Sequence, residues 1–199
     1  TIDEVATQHE DTVLCLSAQF AGADVVINAA GMPDASADAS ESLFGANTVL
    51  PAIVGLAAQQ AGVSRFVHIS SAVVQGRLPV LDESWATQSF SPYSSSKILG
   101  ERLAVAAAPG ITTVYRPPSV HARDRRVTRA LARVARSSAS CVAGRGDQPT
   151  PQALAVNVGG AIAHLALTSS TPPPVVAHPS EGLTTGSLLR FLGDGRDGR

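Results

Sequence analysis

The sequence is short of charge, of cysteine and of long uninterrupted apolar runs. Only 16% of its 199 residues are charged, and 15 Lys+Arg stand against 16 Asp+Glu, a formal net charge of -1. So even a balance leaves no electrostatic footprint for nucleic acid or an anionic membrane, and no aromatics are interleaved with the basic residues. Cys15 and Cys141 belong to no metal-ligand or redox spacing. Two thiols without a disulfide framework fit a reducing, cytoplasmic setting. His9, His164 and His178 are scattered and carry no metal spacing either. The least charged long stretch, 149–180, is broken by Asn157, Gly159, Gly160, two histidines and three consecutive prolines at 172–174. A bilayer span needs about 20 mainly apolar residues, so no transmembrane segment is expected. No basic-then-apolar signal peptide opens the chain, and no internal repeat runs through it.

What is present suffices for a folded core. Hydrophobic residues make up 44%, which excludes global disorder, and a chain of this length buries roughly 70% of its unfolded surface. One domain is expected. Val13, Leu16 and Phe20 at helical spacing predict a helix over 11–21, ended by Gly22. Residues 24–30 (DVVINAA) read as a strand buried on both faces. A helix follows over 47–60, with Pro51 in its first turn or at a kink, and then a strand over 65–70 (RFVHIS). The clearest helix is 93–108, with Ile98, Leu99, Leu103 and Val105 on one side and Glu101 and Arg102 outward. Pro109 and Gly110 stop it before a strand over 111–116 (ITTVYR). Further helices are predicted near 127–136, 158–168 and 184–192, and a strand over 174–178. Residues 32–42 form a polar loop of small residues. Alternation of strands with long helices predicts an α/β fold with right-handed crossovers and a mainly parallel sheet.

Three features carry chemistry. Tyr93 and Lys97 stand four apart at a helix start, a spacing that shares one face. A phenol with a reference pKa near 10 needs help to act as a base, and an adjacent ammonium favours the phenolate. Standing alone, this pair is a common chance match. Ser70 and Ser71 end the 65–70 strand, where ligands of parallel sheets bind and a hydroxyl can hold a substrate oxygen. One of the two, Ser70, equally suits a strand-to-loop turn. Asn28, Ala29, Ala30 and Gly31 end the earlier strand, and their small side chains let backbone lie against a flat ligand such as a ribose. Alone they are no more than a tight turn.

In order along the chain, ADVVINAAG (23–31), Asn47, SRFVHISSAVVQG (64–76), Asp82-Glu83-Ser84, SPYSSSK (91–97) with Glu101, and YRPPSV (115–120) resemble one family. It is the extended short-chain dehydrogenase/reductases, the NAD-dependent epimerase/dehydratase family, and the similarity runs from Ala23 to about Leu192. The resemblance implies one NAD(P)-binding Rossmann-like domain over 1–199, with helices on both faces of the sheet and 117–199 forming the substrate side. It implies Tyr93 as base, Lys97 as its ammonium and a hold on the nicotinamide ribose, and Ser71 as the substrate-orienting hydroxyl. Ala29, Ala30, Gly31, Asn47, Ser70, Pro117 and Pro118 would line the side of an NAD or NADP cofactor. Ser119 would face a small-molecule substrate such as a sugar nucleotide. A homodimer is also implied.

The departures from the family pattern are specific. The GxxGxxG turn that holds a cofactor pyrophosphate is absent, and with it the residue that separates NAD from NADP. Either the chain is a piece of a longer protein or it lacks the phosphate cradle. Gln75 stands where a Tyr is usual, His121-Ala122 where Tyr-Gly is, and Asn157 where Asp is common. Arg126, Arg129, Arg133 and Arg136 share one helical sector, which suits either a ridge for the diphosphate of a sugar nucleotide or a solvated face. His68, inside a strand, is expected in the core. Trp85 and Phe90 are expected to anchor the loop before Tyr93. The leading expectation is Tyr-assisted hydride transfer on a hydroxyl or keto group. The competitors are a ketone/steroid-type reductase of the same family and a non-catalytic binding module.

Overall fold

The computed structural model describes residues 1–193 apart from positions 139 and 143. In chain order its first elements are α1 (Ile2–Gln8), α2 (Glu10–Phe20), β1 (Val25–Asn28), α3 (Glu41–Phe44), a π turn (Gly45–Val49), α4 (Leu50–Gln60) and β2 (Arg65–Ile69). A 3-10 turn (Ala72–Gln75), α5 (Pro92–Ala107), β3 (Thr112–Arg116), β4 (Ser119–His121) and α6 (Arg126–Ala135) follow. The last are β5 (Gln152–Leu154), α7 (Ala155–Leu167), β6 (Val175–Ala177) and α8 (Thr185–Leu192).

These elements form two compact units, Thr1–Pro117 with Ala161–Ala177, and Pro118–Gly160 with His178 onward. The first contains a four-stranded parallel sheet in the order β1-β2-β3-β6. Val26 and Phe66 from the sheet pack on Ala58 of α4 and Ala104 of α5. Val5, Val13, Ile53 and Ala57 join α1, α2 and α4 in a second layer. The expected Rossmann-like α/β architecture is present. The second unit carries a two-stranded parallel ribbon, β4-β5.

Local chemistry explains the details. Thr1 and Glu4 form a capping box that starts α1, a helix the apolar spacing does not reveal. Pro51 has no N–H to give the Asn47 carbonyl, and its ring crowds that carbonyl. The helix widens just before it into the π turn, with Leu50 between that turn and Pro51. The continuous helix 41–60 is, contrary to expectation, long and apolar enough to cross a membrane, with mean hydropathy 1.3. Its burial is 56%, because its apolar side supplies core to α2 and α5. The strand over 24–30 also differs from its expected burial on both faces. Val26 and Asn28 are buried but Ile27 is 43% exposed, so only one face of β1, the edge strand of the sheet, is covered. At the other end of β2, the Arg65 guanidinium donates to the carbonyls of Leu165, Ala166, Thr168 and Ser170 at 2.7–3.1 Å and so closes the C-terminal end of α7.

Candidate active site

The Ser91 hydroxyl caps α5, Ser94 answers it in a capping box, and Pro92 occupies the first turn. The helix therefore begins just before Tyr93 and sets Tyr93 and Lys97 one turn apart, both buried. Lys97 is the only lysine of the chain. Its Nζ donates to the Ile69 carbonyl at 3.0 Å, at the carboxyl end of β2. A Cβ on Gly31 would lie 2.8 Å from Asn47 Oδ1 and 3.7 Å from Lys97 Nζ, so the turn after β1 must be glycine there. Burial pushes the Lys97 ammonium down to about 8, against the pull of the Glu101 carboxylate.

Each predicted site residue has a definite place. Asn47 spends its whole amide on structure: Oδ1 accepts from the Met32 N–H at 2.9 Å, and Nδ2 donates to the Met32 carbonyl and Ser96 Oγ, both at 3.1 Å. It pins the loop after β1 to α5. Asn28 shapes the turn that carries Ala29 and Ala30, accepting from the Ala30 N–H at 3.2 Å. Its Nδ2 meets His68 Nδ1 at 3.3 Å. His68 is fully buried as expected, and desolvation pushes its pKa down to about 3.

The two serines at the end of β2 part company. Ser71 Oγ accepts from the Val73 N–H at 3.3 Å to cap the 3-10 turn, which leaves its own O–H as a donor. Ser70 Oγ instead donates to Glu101 Oε1 at 2.5 Å. Pro117 ties the end of β3 to this turn, its carbonyl accepting from the Ala72 N–H at 2.9 Å.

Glu101 does not point outward as its spacing against the leucines suggests. It is buried, and Arg116 grips it with Nε to Oε1 at 2.9 Å and Nη2 to Oε2 at 2.7 Å. The inward stripe of α5 is Tyr93, Lys97, Glu101 and Ala104, while Leu99 is 40% exposed. The missed signal is the four-residue spacing of Tyr93, Lys97 and Glu101, together with an arginine ending a strand. Arg116 Nη1 also donates to the Ser84 carbonyl at 2.7 Å, with its guanidinium 5.9 Å from the Trp85 ring centroid.

The loop over 76–91 is held by polar bonds rather than by its aromatics, since Trp85 and Phe90 are each about half exposed. Gln75, at the departure from the usual Tyr, is buried. It donates to Asp82 Oδ1 at 2.8 Å and accepts from the Asp82 N–H at 3.0 Å. Hydrogen bonds from Ser84 and Gln75 hold the Asp82 carboxyl below the usual carboxylate range.

In the second unit, Pro118 precedes β4 and Ser119 opens it, with Ser119 Oγ 3.3 Å from His121 Nε2. His121 joins Thr128 at 2.9 Å and Gln152 at 2.6 Å, stitching α6 to the β4-β5 ribbon. Asn157 donates to Glu181 Oε1 at 2.9 Å. A cavity of about 670 Å³ is lined by Arg123, Arg129 and Arg136 and by apolar side chains including Leu154, Leu183 and Phe191, whereas Arg126 is exposed outside that lining. Among the described residues no cluster of His, Cys, Asp or Glu is placed to hold a metal ion.

Comparison with known proteins places the family and the fold. A sequence model described as the NAD dependent epimerase/dehydratase family matches residues 2–149. No curated protein matches. Among solved structures, MoeE5 with UDP-glucuronic acid and NAD is similar at TM-score 0.70 and 23% identity, covering 92% of this chain and 67% of that one. The UDP-glucuronic acid 4-epimerase of Bacillus cereus with NAD gives TM-score 0.72 and 20% identity, covering 93% and 65%. The dTDP-4-dehydrorhamnose reductase of Bacillus anthracis with NADP gives 0.69 and 17%, covering 96% and 66%. The chain thus spans about two thirds of the length of these relatives. With three quarters of its length matched by one family model and its motifs assembled on one sheet end, this chain belongs to the NAD-dependent epimerase/dehydratase family.

Proposed function

We propose that the chain supplies the reacting side of an NAD(P)-dependent oxidoreductase acting on a hydroxyl or keto group of a sugar nucleotide. One observation carries this reading: Tyr93 and Lys97 lie buried one turn apart on α5, with the Lys97 ammonium bound at the end of β2, where Ser71 follows. Ser71 orients the substrate oxygen with its O–H. Tyr93 takes the proton from the substrate hydroxyl, and Lys97 favours the phenolate that accepts it.

The bound nicotinamide dinucleotide would take up the hydride that leaves the same carbon. The residues present fit its ribose end. The backbone at Gly31 lies flush against Asn47 and Lys97, where any Cβ would intrude, and Ala29 and Ala30 are exposed beside it. Pro117 follows β3, the strand beyond β2. None of the residues is of the glycine-rich kind that holds a pyrophosphate.

Tyr93→Phe should lower turnover of NAD+ with UDP-glucose or UDP-glucuronic acid by roughly 100- to 10,000-fold. Dinucleotide affinity, read by fluorescence titration, should stay nearly unchanged. Equal activity in that variant, or no NAD+ or NADP+ binding by the parent chain, overturns the reading. A second reading, reduction of a ketone with an apolar body, is favoured by the side chains of Leu154, Leu183, Leu188, Phe191 and Leu192 around the second unit's cavity. Preference for such a ketone over the sugar nucleotides would select it.

A further inference from the structure

The proposed chemistry uses Tyr93, Lys97 and Ser71 and leaves the most deeply buried charges of the molecule without a task. Arg116 and Glu101 have 0% and 2% of their side-chain surface exposed. A buried ion pair is seldom a net gain in stability over well-packed apolar residues. This pair, however, is a junction. Glu101 takes the Ser70 hydroxyl from the end of β2 and both contacts from Arg116 of β3, while Arg116 reaches the Ser84 carbonyl and lies near Trp85 in the 76–91 loop. Glu101 stands one turn beyond Lys97 on the same face of α5.

We infer that Glu101 and Arg116 are positioning residues of the site, holding the end of β2, the 76–91 loop and the Lys97 ammonium in one arrangement. The inference rests on the reading of Tyr93 and Lys97 as the reacting pair, but its test needs neither cofactor nor substrate. The titratable groups that act on Lys97 are Glu101 of α5 and His68 of β2, with Arg116 of β3 behind Glu101, and Tyr93 stands one turn before Lys97 on α5. The Ile69 carbonyl accepts from Nζ and Gly31 lies close by, and neither titrates. His68 is held neutral by its burial, so the Glu101 carboxylate is the counter-charge that steadies the ammonium.

Because Lys97 is the only lysine, the full chain grown with ε-carbon-labelled lysine shows a single side-chain resonance, whose pH titration reports Lys97 directly. The parent midpoint is expected at about 8. In Glu101→Gln it should fall by about one pH unit, since a negative neighbour is lost and Arg116 is left uncompensated. That variant leaves a buried guanidinium unpaired and can fail to fold. The double variant Glu101→Leu with Arg116→Met removes both charges in an apolar, similar volume, and its midpoint should fall in the same direction. Acrylamide quenching of Trp85, the only tryptophan, should rise in the double variant as the loop is released. A folded variant with native circular dichroism and an unchanged Lys97 midpoint overturns the electrostatic role, and unchanged quenching overturns the hold on the loop. Loss of dinucleotide binding by the parent with these shifts intact would fault the functional reading alone.

Discussion

In the unit built on the four-stranded sheet, the polar groups that matter are inside: Asn47, His68, Glu101 and Arg116 are all 1% exposed or less. Apolar groups are exposed in both units, Val80 64% and Leu167 83% in the first and Val156 74% and Phe191 77% in the one that begins at Pro118, so the buried polar groups are what separate them. Glycines divide within each unit rather than between them. Gly31, Gly55 and Gly100 of the first meet neighbouring atoms where a Cβ would go while Gly22, Gly62 and Gly110 meet open space, and in the second Gly146 and Gly193 are crowded while Gly159 and Gly160 are open. A site that must hold an ammonium and a hydroxyl in register is built where backbone and side chains leave no slack. The second unit carries the cavity.

The widest gap between the units should open in acid. His68 has its pKa lowered from 6.5 to about 3 by desolvation, with the Lys97 charge adding to the shift. Between those values the unfolded chain binds a proton at this position that the folded chain refuses, so stability falls as pH drops from 6.5 towards 3. The slope is about 1.4 kcal/mol per pH unit, or roughly 4–5 kcal/mol over the window. Urea unfolding at pH 7, 6, 5 and 4.5 measures it, and His68→Gln, neutral throughout, should flatten the profile. An equal slope in that variant would place the acid sensitivity elsewhere.

A smaller effect tests the close packing directly. A Cβ on Gly100 would stand 2.0 Å from the Asn47 carbonyl oxygen, which is backbone and cannot swing aside. Gly100→Ala should cost about 3 kcal/mol by overpacking the contact between α5 and the π turn. It should also disturb Asn47 and, through it, the loop at Met32. A loss under about 0.5 kcal/mol in chemical denaturation would mean that the two segments separate easily.

The contrast also explains what could be read in the sequence. The parallel sheet, the strand ends and the Tyr93–Lys97 face were legible because each rests on local spacing and on small residues at turns. Glu101 was not, because a carboxylate beside leucines reads as a solvated position until its partner comes from a strand 15 residues away. Ser70 resisted for the same reason, as its partner is on α5. The exposed edge of β1 was hidden, since pairing is a property of the sheet and not of the run DVVINAA. In the second unit, β4 and β5 are three-residue strands joined across 30 residues, too short for periodicity to register.

The smallest effect carries the opposite sign. Gly159 lies inside α7 with nothing within 4 Å of a built Cβ, so alanine there meets no neighbour. Glycine in a helix interior costs about 0.5–1 kcal/mol relative to alanine, largely through the freedom of the unfolded chain. Gly159→Ala should therefore raise stability by that amount, where the same replacement at Gly100 lowers it. Thermal and urea unfolding of the two single variants, measured side by side, give the sign of each. A destabilising Gly159→Ala would mean that this stretch of α7 is as closely packed as α5 at Gly100.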